Sequence, residues 1–212
     1  MGIREVSGQR AIILDRDGTL IDFVRDEETG LITTAFHPSQ VRILPGVVEG
    51  LSLLAHAGFV FAIATNQPGP AKGHFSVAAV EHTNAALVSD LHRRGIAITA
   101  VKSCMHHPEG GPGGDPSLVC KCDCRKPKPG LINALINDLK ADRARSWMIG
   151  DTYTDVEAGR AAGLHSGLLL TANRCELCPM LAAAKGRVAL PAAPDVSAPT
   201  LGDMAKEILA FC

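Results

Sequence analysis

Six consecutive apolar residues, Phe59-Val60-Phe61-Ala62-Ile63-Ala64, constrain the fold more than any other stretch. A strand with water on one face alternates apolar and polar side chains, so an unbroken run predicts a strand covered on both faces. Shorter runs at 11–14, 96–101, 146–149 and 167–170 repeat the theme. Between them lie segments with apolar spacing of three and four. One follows Pro45-Gly46 through Val47, Val48, Leu51, Leu54 and Ala55 to Gly58; another runs from Ser76, a predicted N-cap, to Arg94. Others follow Pro129, span 154–162, and end the chain at 201–211. Strand and helix in alternation predict an α/β fold: a doubly wound, Rossmann-like parallel sheet with helices on both faces. The 212 residues, 46% of them hydrophobic, suffice for one buried core and fall short of two, so 1–212 is read as a single domain. Residues 179–200 show no usable pattern.

Several function classes drop out at once. A net charge of −1 gives no basic face for nucleic acid or an anionic membrane, and with 4% aromatics base stacking has little to work with. No run of 18 apolar residues predicts a membrane span, and Met1-Gly2-Ile3-Arg4-Glu5 lacks a signal-peptide core. Val6 stands where myristoylation wants Ser or Thr. The expectation is a cytoplasmic monomer acting on a small molecule.

Three predicted strands end in reactive groups: Asp15-Arg16-Asp17-Gly18-Thr19 after the first, Thr65-Asn66-Gln67 after the second, and Gly150-Asp151 with Asp155 after the fourth. Carboxyl ends of parallel strands are where open α/β sheets bind ligands. Two acids so close repel unless a cation separates them. Lys126 precedes the Pro129 helix. A carboxylate nucleophile, hydroxyl and amide donors, a lysine and a carboxylate-held Mg²⁺ together make a set for phosphoryl transfer. Singly, Thr65-Asn66 reads as a turn, Asp151 as an N-cap and Lys126 as a solvated lysine; each gains meaning from the others.

These four elements, in order across 11–163, resemble the motifs of the haloacid-dehalogenase-like (HAD-like) phosphatases. Asn66-Gln67-x-Gly69, Cys104-x-His106-His107-Pro108 and Cys122-Asp123-Cys124-Arg125-Lys126-Pro127-x-Pro129-Gly130 are similar to the D-glycero-D-manno-heptose 1,7-bisphosphate 7-phosphatases and the related histidinol-phosphate phosphatases. The resemblance implies that Asp15 is the nucleophile forming an aspartyl-phosphate and Asp17 the proton donor and general base. It implies Mg²⁺ on Asp15, Asp151 and the Asp17 backbone carbonyl, with Asp155 in support. Thr65, Asn66, Gln67, Arg125 and Lys126 would meet substrate.

Four of seven cysteines fall within 21 residues, which reads as metal binding rather than a disulfide framework. Cys104, His106, Cys122 and Cys124 make a closed tetrahedral set for Zn²⁺. His107 is the rival for His106, and the family's C-x-H pattern favours His106. The 15 residues between His106 and Cys122 include Gly110, Gly111, Gly113, Gly114, Pro108, Pro112 and Pro116, too little for a core, so the metal would order them. The expected role of this loop, about 104–124, is to pin Arg125 and Lys126 over the phosphate. Cys120, Cys175 and Cys178 are read as incidental thiols.

No cap domain fits the gaps, so the site is expected to be open, with loops 22–37, 68–73 and 105–121 setting selectivity. The substrate-reading positions depart from the family: Pro68 and Lys72 stand where it often has Ser and Arg, and Thr152 where some heptose phosphatases have Lys. The leading reading is a Mg²⁺-dependent phosphatase removing the 7-phosphate of heptose 1,7-bisphosphate. Alternatives are a histidinol-phosphate or other small phosphomonoester phosphatase, a phosphotransferase, and a zinc-stabilised binding protein without turnover.

Overall fold

The computed structural model describes residues 8–25, 28, 30, 32–170 and 193–211. Its centre is β1 (Arg10–Leu14), the first apolar run. The chain then makes a small antiparallel pair, β2 (Val24–Arg25) and β3 (Ile32–Thr33). Helix α1 (Val47–His56) leads to β4 (Phe59–Asn66), and a one-turn helix α2 (Gly69–Lys72) precedes α3 (Val77–Arg93). The Ser76 hydroxyl caps α3 by accepting from Ala79 N at 3.1 Å. Then follow β5 (Ile98–Cys104), the cysteine-rich loop, α4 (Gly130–Leu139), β6 (Trp147–Gly150), α5 (Tyr153–Ala161), β7 (His165–Leu169), β8 (Val196–Ala198) and α6 (Leu201–Phe211).

The six longer-range strands form one parallel sheet in the order β5-β4-β1-β6-β7-β8. Period-2 alternation splits each strand between two cores. Ile12, Leu14, Phe61, Ile63 and Ile149 pack with Leu51 and Leu54 of α1, Leu87 and Leu91 of α3, and Met204 and Ile208 of α6. Ala11, Ile13, Ala62, Ala64 and Met148 face α4 and α5 on the other side. Small side chains on that face let α4 sit close, through Leu131, Ile132, Leu135 and Ile136. The chain runs outward from β1 through β4 to β5, then crosses to β6 on the opposite side. The reversal opens a crevice at the carboxyl end of β1, where Asp15 stands.

Candidate active site

Asp15 N donates to Ile149 O at 2.9 Å, so the first acid sits where β1 and β6 are still paired. Past it, Gly18 takes φ +84° and the chain folds back, with Leu20 N on Arg16 O at 2.9 Å. The turn sends Asp15 and Asp17 to different partners. Lys126 Nζ reaches Asp15 Oδ1 at 2.8 Å, Asp155 Oδ1 at 2.5 Å and Ala64 O at 2.7 Å. Arg16, fully buried, holds both oxygens of Asp17 at 3.0 and 3.2 Å. Each acid therefore has its own cation, which is how two carboxylates share one strand end.

The electrostatics of the first acid follow. Burial raises the Asp15 pKa from 3.8 to about 6; Lys126 pulls it down, and Asp155 and Asp17 push it up again. Burial alone would lower the Lys126 pKa, but Asp15 and Asp155 together hold it above its usual value.

Asp15, Asp151 and Asp155 place carboxylate oxygens within 4.8 Å of one another. Three carboxylates and one ammonium leave a formal charge of −2, which a divalent ion on hard oxygen ligands fits. Asp155 is the least free of the three. Its second oxygen accepts from Thr152 Oγ1 at 2.6 Å and Thr152 N at 3.2 Å, capping α5, while Lys126 holds the first. Lys126 is thus held between Asp15 and Asp155, and Asp15, Asp151 and Asp155 all line the cavity.

The cavity in front of these acids has a volume of about 380 Å³ and is walled by Phe23, Ile32, Thr34, Thr65, Lys72 and Phe75 among others. Two residues expected to meet substrate lie off the cavity wall. Gln67 is fully buried, its Nε2 donating to Asp17 Oδ2 at 2.7 Å and Thr65 Oγ1 at 2.9 Å. Arg125 is absent from the cavity wall, and its Nη1 is buried with no hydrogen-bond partner among the described residues. Lys126, the next residue, does line it. Thr65 and Asn66 do line the cavity. The Asn66 amide also bonds Lys126 both ways, Nδ2 to Lys126 O at 3.0 Å and Lys126 N to Oδ1 at 3.1 Å, tying the exit of the cysteine loop to the end of β4.

Cys104, His106, Cys122 and Cys124 converge with ligand atoms within 4.8 Å of one another. Cys124 Sγ lies 2.8 Å from Cys104 Sγ, 3.3 Å from Cys122 Sγ and 3.2 Å from His106 Nδ1. None of the three cysteines is in a disulfide, and three thiols with one imidazole are the donor types of a closed tetrahedral zinc site. Burial and neighbouring sulfurs push the Cys124 thiol up, and burial does the same to Cys104. Burial acts on Cys122 too, but hydrogen bonds from Cys124 and the Arg125 amide outweigh it and its pKa falls. His107 turns away, its Nδ1 bonded to Glu109, and Cys120 is exposed. Cys175 and Cys178 lie outside the described residues.

The third selectivity loop is also elsewhere than expected: no residue of 105–121 lines the cavity. The loop packs behind α2 instead. Gly111 N donates to Ala71 O at 3.3 Å and Asp115 N to Pro70 O at 3.0 Å. A Cβ on Gly114 would fall 2.1 Å from Ala71 O, so only glycine permits this approach. Sequence reasoning missed Arg16 and Phe75 as site residues, the one signal for Arg16 being a cation between two acids directly after a buried strand; Thr34 and Lys72 fall in loops expected to border the site, and they line the cavity.

A HAD-hydrolase-like family model matches residues 123–203. The heptose-1,7-bisphosphate 7-phosphatase of Haemophilus ducreyi is 32% identical over 168 residues, covering 79% of this chain and 86% of that one. That of Rhodopseudomonas palustris is 37% identical over 154 residues, covering 73% and 79%. The crystal structure of D,D-heptose 1,7-bisphosphate phosphatase from B. bronchiseptica, complexed with magnesium and phosphate, superposes with a TM-score of 0.71 at 25% identity, covering 96% of this chain and 100% of that one. The chain belongs to the heptose-1,7-bisphosphate 7-phosphatase family of HAD-like phosphatases.

Proposed function

We propose that this protein hydrolyses the 7-phosphate of D-glycero-D-manno-heptose 1,7-bisphosphate through an aspartyl-phosphate. The observation that carries the reading is the buried triad Asp15–Lys126–Asp155 beside Thr65 at the floor of a 380 Å³ cavity, large enough for a small sugar phosphate. Asp15, aimed by Lys126, forms a bond to phosphorus as the bond to the leaving oxygen breaks, and Asp17 gives that oxygen its proton. Asp17 then takes a proton from water, whose oxygen attacks phosphorus and frees Asp15. Thr65 and Asn66, which line the cavity, would bind the phosphoryl oxygens, and Lys126 would supply fixed positive charge beside them.

Asp15, Asp151 and the backbone carbonyl of Asp17 would hold Mg²⁺. When bound, the ion neutralises charge between the carboxylates and the phosphoryl oxygens. Cys104, His106, Cys122 and Cys124 would hold Zn²⁺ as a closed structural site. The heptose phosphatases among its relatives support the substrate.

A second reading within the same chemistry has its own observation. Phe36 and Phe75 stack with centroids 5.4 Å apart, and Phe23, Ile32 and Phe75 give the cavity an apolar side that suits a flat ring such as the imidazole of histidinol phosphate. Phosphate release from both substrates, with and without Mg²⁺, separates the two. A higher kcat/KM on the heptose bisphosphate is expected; preference for histidinol phosphate would reverse the assignment, and release independent of Mg²⁺ would refute the metal.

A further inference from the structure

Arg16 is fully buried, and its guanidinium bonds to Asp17, to the Thr34–Ala35 segment and to α3. Nε and Nη2 hold Asp17 Oδ2 and Oδ1 at 3.0 and 3.2 Å. Nη2 also donates to Thr34 Oγ1 at 2.7 Å and Ala35 O at 2.8 Å. Nη1 donates to Asn84 Oδ1 of α3 at 2.8 Å, and Asn84 Nδ2 in turn reaches Ser103 Oγ of β5 at 3.0 Å. A buried ion pair is weak as a source of stability, since an apolar pair of the same volume usually does as well. The arrangement is better matched to aim than to stability. Gln67 Nε2 at 2.7 Å and Ala35 N at 3.4 Å complete a ring of donors around Asp17, while Thr34 lines the cavity.

We propose that Arg16 is the positioning residue of the proton-transfer step, and that Thr34 and Ala35 couple the aim of Asp17 to the first substrate loop. The proposal rests on the reading of Asp17 as the acid. Its consequence is specific. A sugar alkoxide is a poor leaving group and needs the Asp17 proton, whereas 4-nitrophenolate leaves without one. A variant that misaims Asp17 therefore loses rate on the sugar phosphate and largely keeps it on 4-nitrophenyl phosphate. A variant that merely loosens the fold loses both alike.

The experiment measures kcat/KM, which reports the steps through leaving-group departure, on heptose 1,7-bisphosphate and 4-nitrophenyl phosphate. Arg16→Lys is expected to lose about 100-fold on the first and less than about fivefold on the second, in line with the worth of general acid catalysis. Thr34→Val, which deletes one acceptor and leaves the guanidinium in place, is expected to show a smaller loss of the same selectivity. Asp17→Asn is the control. If Asp17→Asn is selective and the other two variants lose equally on both substrates, the Arg16 proposal falls and the acid assignment stands. If Asp17→Asn itself loses equally on both, or the wild type turns over neither, the acid assignment falls and takes the proposal with it. Should Arg16→Lys fail to fold by circular dichroism, Thr34→Val decides the question alone.

Discussion

Asp15 and Asp151 extend from β1 and β6, neighbouring strands whose apolar residues are buried, whereas Cys104, His106, Cys122 and Cys124 come from one strand end and a loop with four glycines. The first cluster is aimed by the sheet: its backbone is hydrogen-bonded before any ligand arrives, as Asp15 N on Ile149 O shows. The second has no comparable frame. Its loop is held by the four ligand side chains, by the Asn66–Lys126 bonds at its exit, and by backbone contacts to α2. The difference bears on the metals proposed for the two clusters. An ion at the acids would do chemistry on a scaffold that stands without it, and an ion at the cysteines would make part of the scaffold.

The largest effect that tests this contrast is Asp15→Asn. Turnover is expected to fall on the order of 10⁴-fold or more, as for removal of a nucleophile elsewhere, while circular dichroism stays that of the wild type. Appreciable remaining Mg²⁺-dependent activity would remove Asp15 from the nucleophile's role. Zinc removal should act in the opposite manner. Chelation verified by metal analysis is expected to lower Tm and raise KM about tenfold or more, through loss of the ordered loop behind α2 and beside Lys126. Mg²⁺ removal should abolish turnover reversibly with little change in secondary structure. Full activity in a zinc-free protein would break the comparison.

The same contrast explains what could be read from the amino-acid sequence. β1, β4, β6 and β7 were legible because unbroken apolar runs have few alternatives, and Leu201–Phe211 because its spacing is helical throughout. β8 was not: Val196–Ala198 is three residues in an Ala- and Pro-rich stretch and gains strand character only from pairing with β7. β5 reaches Cys104, three residues past the apolar run, because Lys102 and Ser103 pair in register with Ala64 and Thr65. Gly69–Lys72 reads as a turn from its Gly-Pro and is one turn of helix capped by the loop against it. Within the site, residue types at strand ends were legible, and side-chain directions were not. Gln67 turns inward because Asp17, fifty residues away in the chain, accepts from its amide.

A third effect concerns the proton at Asp15. Its pKa is raised in the folded protein from 3.8 to about 6, mainly by burial. The sign is opposite to that of a salt-bridged surface carboxylate. In the metal-free protein this group contributes stability that is full below pH 3.8 and is lost as pH rises through about 6. Metal and proton compete for the same carboxylate, so Mg²⁺ affinity should weaken up to about tenfold per pH unit below pH 6. Calorimetric titration of Mg²⁺ at pH 7 and pH 5 measures it; equal affinities would mean that Asp15 does not hold the ion.

The smallest effect isolates the path by which the loop reaches the cavity. Gly114→Ala leaves all four metal ligands and every acid untouched. Its added methyl would sit 2.1 Å from Ala71 O, so either the loop or α2 must move. Overpacking of this kind costs about 1–3 kcal/mol. Since α2 carries Lys72 into the cavity wall, a shift there should raise KM a few-fold and leave kcat near that of the wild type. A fall in kcat with KM unchanged would show that the loop acts through Lys126 instead, along the bonds from Asn66 to its backbone. The two outcomes distinguish the two faces of one loop: the glycines behind α2, and the Cys124–Lys126 segment that enters the acid cluster.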